Sequence, residues 1–353
     1  MTARERWALS NMARQLEVVE SLVPTAGGSS DGSADCRSWL AVRRQVHTYL
    51  RHLGPWLEAG GLQLPPPRVL EHQAALEKLG ERANLELEGH DDGTRRQARA
   101  RLGVRAAFMG KGGSGKTMIC ATLARHLARQ GRSVVVVDLD TNPGLSMSLG
   151  LAAGGEAGLP PEAVEAHGGA NYGWHLAEGI TPLEAVERYS RVGPDGVRVL
   201  AVGKIDSPDK SAAKRSVTAV LQILLGLGAP GWDVLADMEG GPTTPFERYH
   251  SFADDVMVIV GPAWRSAMTA RRLLPMVGDR NARVVANRFD DEPDHPGLIP
   301  QVRIPFDPCV AEAERQGRAP FDACPSSPAM QAIAGLGDLV LDQQAPMTQE
   351  ADA

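Results

Sequence analysis

The spacing of apolar residues changes character near Val104. Before that point they recur at helical intervals. Leu9, Met12, Leu16, Val19 and Leu22 fall on one face of a helix predicted over 2–23 and stopped by Pro24. Thr25 to Asp35 is rich in Gly and Ser and reads as a loop. A second helix, predicted over 35–59, carries Trp39, Val42, Val46, Tyr49, Leu53 and Trp56 and ends near Gly60-Gly61. Beyond Pro65-Pro66-Pro67 a third helix, over 68–88, presents Leu70, Leu76 and Leu79. Three amphipathic helices predict a small bundle, with these rings and aliphatic side chains as its core. Gly89 to Arg101 holds His90-Asp91-Asp92-Gly93 and then Arg95-Arg96-Gln97-Ala98-Arg99-Ala100-Arg101. It reads as a solvated linker or helix face, and a basic strip for nucleic acid is its other reading.

From Val104 onward short apolar runs alternate with amphipathic stretches. The runs are Val104–Met109, Ser133–Asp138, Val197–Val202, Trp232–Met238, Asp255–Gly261, Arg283–Asn287 and Gln301–Ile304. Helical spacing appears between them, near 116–130, 181–190, 211–226, 264–277, 308–317 and 327–342. Buried β-branched strands separated by helices predict an α/β fold with a mostly parallel sheet covered on both faces. A ligand would then bind beyond the carboxyl ends of the strands.

Composition narrows the class only slightly. The 353 residues are 43% hydrophobic and 23% charged, enough for one α/β domain and an appendage. A net charge of −6 gives no reason to expect a surface generally coated with nucleic acid. Cys36, Cys120, Cys309 and Cys324 have no C-x-x-C spacing, which predicts free thiols in a reducing compartment and no zinc knuckle. Met1 to Arg6 lacks a signal-peptide pattern and no run approaches ~18 apolar residues, so a cytoplasmic location is expected.

The candidate chemistry lies in Gly110-Lys111-Gly112-Gly113-Ser114-Gly115-Lys116-Thr117. An apolar run precedes it, and Ile119, Leu123 and Leu127 follow at helical spacing. Strand, glycine loop and helix are the context of a phosphate-binding P-loop, whose backbone N–H groups and helix N-terminus cradle an anion. Lys116 would reach the β- and γ-phosphates, and the Thr117 hydroxyl would ligate Mg²⁺. A second apolar run, Val134 to Val137, ends in Asp138-Leu139-Asp140. By strand alternation the two carboxylates would point to one side. Trp232 to Asp237 is a third run, ending in acid and followed by Met238-Glu239-Gly240-Gly241, the form of a Walker B and switch II segment. Asp237 there would hold Mg²⁺ through water, while the glycines let the backbone approach the γ-phosphate.

The additional lysine, Lys111 in Lys-Gly-Gly-x-Gly-Lys-Thr, resembles the deviant Walker A motif of the MinD/ParA/ArsA/NifH class of ATPases. That resemblance implies that Lys111 reaches the nucleotide of a partner subunit, so that ATP closes a homodimer. It also implies that Asp140 orients the attacking water, with Asp138 nearer the Mg²⁺. Asp237-Met238-Glu239-x-Gly241 resembles in particular the CooC branch, accessory ATPases that mature the nickel site of carbon monoxide dehydrogenase. Pro262-Ala263-Trp264-Arg265-Ser266-Ala267 leans the same way. Asn287 occupies the slot of the class's adenine-reading Asn, and Ile304-Pro305-Phe306-Asp307 is similar to its Ile-Pro-x-Asp loop against the base. The implied cofactor contacts are thus Gly110, Gly112, Gly113, Ser114, Gly115, Lys116, Thr117, Met118, Gly241, Asn287, Pro305 and Asp307. Lys111, Lys116 and Asp140 are the catalytic candidates, and Thr117, Asp138 and Asp237 hold the metal.

The resemblance covers about 104–340 and departs at one place. Nickel-handling CooC proteins carry a Cys-x-Cys pair where this chain has Gly203-Lys204-Ile205-Asp206-Ser207-Pro208-Asp209-Lys210. Without soft thiolates no nickel site is expected, and the cysteines for an iron–sulfur cluster are missing as well. His167 and His175 read as surface residues of a Gly-rich loop. The expected organisation is an N-terminal helical region (1–101) that binds a partner or supports a dimer, an ATPase domain (102–342) and a disordered tail (343–353). That tail is polar and acidic, unlike the basic amphipathic helix by which MinD-like proteins grip membranes. The expected activity is slow, switch-type ATP hydrolysis with ATP and Mg²⁺, acting on a client protein. A ParA-type DNA-associated positioning ATPase is the alternative.

Overall fold

In a computed structural model, residues 3–24, 32–59, 67–140, 144–152, 158–166, 174–202, 219–227, 231–238, 240, 249–278, 281–289 and 295–342 are described. The chain divides into two compact units. One comprises Met1–Val104 with Gly228–Trp232 and Asp338–Ala353, and the other comprises Arg105–Leu227 with Asp233–Gly337.

The first unit contains α1 (Ala3–Leu22), α2 (Gly32–Ala59), α3 (Pro67–Glu88) and α4 (Asp92–Ala100). Met12 and Val19 of α1 are buried, as are Trp39, Val42, Val46 and Tyr49 of α2. The predicted face of α2 is therefore the core face, with Leu53 and Trp56 outside the residues whose side chains are described. The face of α3 differs from expectation. Leu76 is buried as expected, but Leu70 is 48% exposed, and Val69, Ala83 and Leu87 complete the inward face. Period alone left two adjacent positions to choose between, and the neighbouring helices decide. The Arg82 guanidinium lies 4.9 Å from the Trp39 ring centroid, a cation–π contact at the rim of this core. Of the two readings of Gly89 to Arg101, solvated linker or helix face, the structure has the helix. Asp91 caps a helix there, accepting from the Thr94 amide at 2.9 Å, and places Arg95, Arg96 and Arg99 on α4.

The second unit is built on an eight-stranded sheet. Its strands are β1 (Arg105–Gly110), β2 (Ser133–Asp138), β5 (Arg191–Val192), β6 (Arg198–Ala201), β7 (Trp232–Asp237), β8 (Asp255–Val260), β9 (Asn281–Asn287) and β10 (Val302–Ile304). Their spatial order is β10-β9-β8-β1-β7-β2-β6-β5. β1 runs parallel to β7 and β8, β9 parallel to β8 and β10, and β2 parallel to β6, while β5 lies antiparallel to β6 at the edge. Every residue of β1 and β8 is buried, the condition under which strands read as unbroken apolar runs. The chain leaves β1 through the P-loop into α5 (Lys116–Arg129), returns as β2, and later inserts β7 between the two. That crossover sets the P-loop beside the carboxyl ends of β7 and β2.

Several short elements were not expected: an antiparallel ribbon of β3 (Val164–Ala166) and β4 (Trp174–Leu176), and the helices α6 (Leu145–Leu149) and α10 (Pro320–Ala323). Three- to five-residue segments are too short for period to register. His175 lies on β4 and not in a loop, while His167 is outside the described residues. The remaining helices are α7 (Pro182–Tyr189), α8 (Trp264–Val277), α9 (Pro308–Arg315) and α11 (Pro328–Asp342), with a further helical stretch over 219–226. The expectation of four free thiols is corrected. Cys309 and Cys324 form a disulfide across 15 residues, and Cys36 and Cys120 are free and buried.

Candidate functional site

The P-loop sits at the carboxyl end of β1, and its geometry depends on Gly115. This residue has φ +93, which carries the chain from the loop into α5. A Cβ there would fall 2.2 Å from Asn287 Nδ2. Lys116 opens α5 with its side chain buried, Lys111 is partly exposed, and Gly112 and Gly113 are exposed. The buried Ser114 hydroxyl has no hydrogen-bond partner.

Two buried carboxylates, Asp138 and Asp237, lie at the ends of β2 and β7. The Thr117 hydroxyl donates to Asp237 Oδ2 at 2.5 Å, joining α5 to the end of β7. Asp237 Oδ1 is buried and unpartnered. Burial, with the neighbouring Asp138 charge, pushes the Asp237 carboxyl up to about 7 despite the Thr117 bond and the charge of Lys116. Asp138 is likewise raised to about 6, chiefly by burial. Its two oxygens accept from the amides of Asp140 (3.1 Å) and Leu145 (3.0 Å). The strand β2 ends at Asp138, so Asp140 stands in the following loop and the alternation rule does not extend to it. It is partly exposed. Asp237, Asp138 and the Thr117 hydroxyl form a donor set of hard oxygens with an orphaned carboxylate oxygen and excess negative charge, which fits Mg²⁺. Ser114, Lys116 and the loop amides fit the phosphates that would share it.

The glycine of switch II that is described is Gly240. A Cβ on it would meet the Gly112 nitrogen at 2.9 Å, so only glycine permits this approach of the two loops. Gly241 lies outside the described residues, as does Gly203–Lys210, the segment without Cys-x-Cys.

Asn287 closes β9 with its side chain buried and its Nδ2 donating to the Ser114 carbonyl at 2.8 Å. Its amide NH₂ therefore braces the P-loop backbone. Beyond it lies a shallow cleft lined by Met118, Asn287, Pro305, Asp307, Val310 and Ala311, among others. Asp307 accepts from the Cys309 amide at 2.9 Å and from the Val310 amide at 3.4 Å, capping α9. Partial burial raises its carboxyl, but the hydroxyl of Ser327 and these amides outweigh that and hold it below the usual range.

Arg288, also lining this cleft, escaped the sequence reading. It adopts φ +63, a left-handed conformation uncommon outside glycine. Its guanidinium donates to the Gly113 carbonyl at 3.4 Å and pairs with Glu314 at 3.2 Å. No spacing rule marks such a residue. The partners lie on the P-loop and on α9, far along the chain.

Among the described residues no group of three or more His, Cys, Asp or Glu side chains is set to hold a metal ion, and no helix is long and apolar enough to cross a membrane.

Comparison with known proteins agrees with this geometry. Residues 106–321 match the CobQ/CobB/MinD/ParA nucleotide binding domain family. An uncharacterised ATP-binding protein of Methanocaldococcus jannaschii is 25% identical over 235 residues, covering 61% of this chain and 90% of that protein. The carbon monoxide dehydrogenase accessory protein CooC of Rhodospirillum rubrum is 26% identical over 242 residues, 63% of this chain and 91% of CooC. In fold, a ParA family ATPase of Chlorobium tepidum superposes with a TM-score of 0.50 at 15% identity, over 67% of this chain and 98% of the other. The family match spans more than half of the chain and includes the P-loop, Asp138, Asp237 and Asn287. The chain belongs to the CobQ/CobB/MinD/ParA nucleotide-binding family.

Proposed function

We propose that this protein is an ATP-hydrolysing switch, in which Mg-ATP draws two copies together and hydrolysis releases them, so as to control a client protein. The observation that carries this reading is the Thr117–Asp237 contact with its orphaned Oδ1, set against a buried Lys116. Thr117, Asp138 and Asp237 would hold Mg²⁺, which neutralises the charge developing on the phosphates. Lys116 and the amides of Gly112 to Thr117 bind and orient the triphosphate. Asn287, Pro305 and Asp307 border the cleft for the base. Asp140, partly exposed in the loop after β2, would orient a water, and Lys111, also partly exposed, would reach the nucleotide of the second copy. Similarity to CooC supports an accessory role toward another protein. The N-terminal helices are then the client-facing or dimer-supporting part.

Light scattering on the full chain, alone and with Mg-ADP or Mg-ATP, tests the switch. The expected result is a doubled mass with Mg-ATP alone, which accumulates in Asp140→Ala because that variant binds but does not hydrolyse. A constant mass despite measured ATP binding would refute the role given to Lys111. Wild-type hydrolysis by Lys116→Ala would refute the site itself.

A further inference from the structure

The Cys309–Cys324 bridge joins α9, which lines the cleft beside Asn287, to the end of α10. Cys309 is in the first turn of α9, two residues after the Asp307 cap and next to the cleft residues Val310 and Ala311. Cys324 closes α10. The same short helix is clasped by α5. Asp322 accepts from Arg125 at 2.5 Å, and the Arg125 and Arg129 guanidiniums lie 4.8 and 4.5 Å from the Phe321 ring centroid. Arg125 is itself buried and bonded to Asp195 at 2.7 Å, so α10 is an anchored element. Tethering α9 to it limits how far the cleft wall moves. The two sulfurs are unequal: Cys309 is exposed and Cys324 is 4% exposed. The other cysteines, Cys36 and Cys120, are buried.

We propose that Cys309–Cys324 is a thiol–disulfide modification site whose state sets affinity for the base-bearing part of the nucleotide. The inference rests on nucleotide occupying this cleft. A small-molecule thiol or dithiol is the reductant. Its thiolate attacks the accessible Cys309 sulfur, forming a mixed disulfide and expelling the Cys324 thiolate, which takes a proton from water. A second thiol then attacks the sulfur of the reductant in the mixed disulfide and releases Cys309. Two electrons pass to the protein, leaving two protein thiols and one oxidised reductant disulfide. Reduced, α9 keeps its cap, its packing and the Arg288–Glu314 pair but loses the covalent tether, and the cleft is competent for a smaller fraction of the time.

The test uses the full chain, oxidised with glutathione disulfide or reduced with dithiothreitol. Alkylation under denaturing conditions counts the thiols. The expected count after oxidation is two fewer than the four cysteines of the chain. Calorimetry follows with Mg-ADP and, as a probe without a base, inorganic tripolyphosphate. Reduction is expected to raise Kd for Mg-ADP about three- to tenfold, with little change for tripolyphosphate. The double variant Cys309→Ser, Cys324→Ser should match the reduced protein in both buffers. Equal Mg-ADP affinity in the two states overturns the proposal, as does an equal loss for tripolyphosphate or a chain that keeps all its thiols after oxidation. No Mg-ADP binding by the verified oxidised protein is a different outcome, since it removes the nucleotide reading and this inference with it.

Discussion

Gly115 and Asn287 depend on each other. The glycine must take φ +93, and the space above it is filled by the Asn287 amide. Gly115→Ala adds about 1–2 kcal/mol of backbone strain and pushes the amide off the Ser114 carbonyl. The expected result in calorimetry is at least a tenfold loss of Mg-ADP affinity with the far-ultraviolet circular dichroism retained. Asn287→Ala leaves the Ser114 carbonyl without this donor, at a cost of about 1–3 kcal/mol, readable as a lower midpoint in urea without nucleotide. An unchanged midpoint would show that the brace is unimportant to stability. Lys116, Thr117, Asp138 and Asp237 are candidates on sequence alone because each belongs to a contiguous run with its own phosphate or cation chemistry. Arg288 was not, since its significance lies in a left-handed φ and in partners at Gly113 and Glu314.

At the scale of elements, caps and ion pairs decide where helices begin and how they are held. Asp91→Ala removes the cap of α4 and should cost about 1 kcal/mol, measured as a lower denaturation midpoint. No effect would mean that α4 is held by packing alone. Asp195 ties its turn to Arg125 and Arg129 of α5. Burial alone would raise its carboxyl, but the hydrogen bonds from the two arginines outweigh it and hold it below its ordinary value. Because the folded value is depressed, this stabilisation is complete above the unfolded value of about 3.9. It is lost as pH falls through the lower folded value. Asp195→Asn should therefore flatten the acid limb of a plot of melting temperature against pH between about 5 and 2. An acid limb as steep as wild type would exclude the contribution. The low apolar content of the Arg-rich stretch before Val104 leaves linker and helix face both open, and the capping Asp91 with packing against α2 selects the helix.

At the scale of the molecule, each compact unit has its own core. Leu76→Ala opens a cavity among the N-terminal helices and should destabilise them by about 2–5 kcal/mol, seen as an earlier unfolding transition. The proposed dimer also depends on the cation. Asp138, Asp237 and a triphosphate concentrate negative charge, so chelation of Mg²⁺ should abolish the ATP-linked mass increase in light scattering. Its persistence in excess chelator would separate assembly from the metal.

The sequence by itself determined the strand–loop–helix around Lys116, the buried runs of the sheet and the helical character of the first hundred residues, because each is a local pattern whose period or backbone chemistry is complete within one segment. Tertiary structure decided the rest. Strand order brings Asp237 of β7 to Thr117 and Asn287 of β9 to Ser114. It also sets the inward face of α3 and pairs Cys309 with Cys324. These contacts join residues distant along the chain, and their energy exists only once the sheet has placed them side by side.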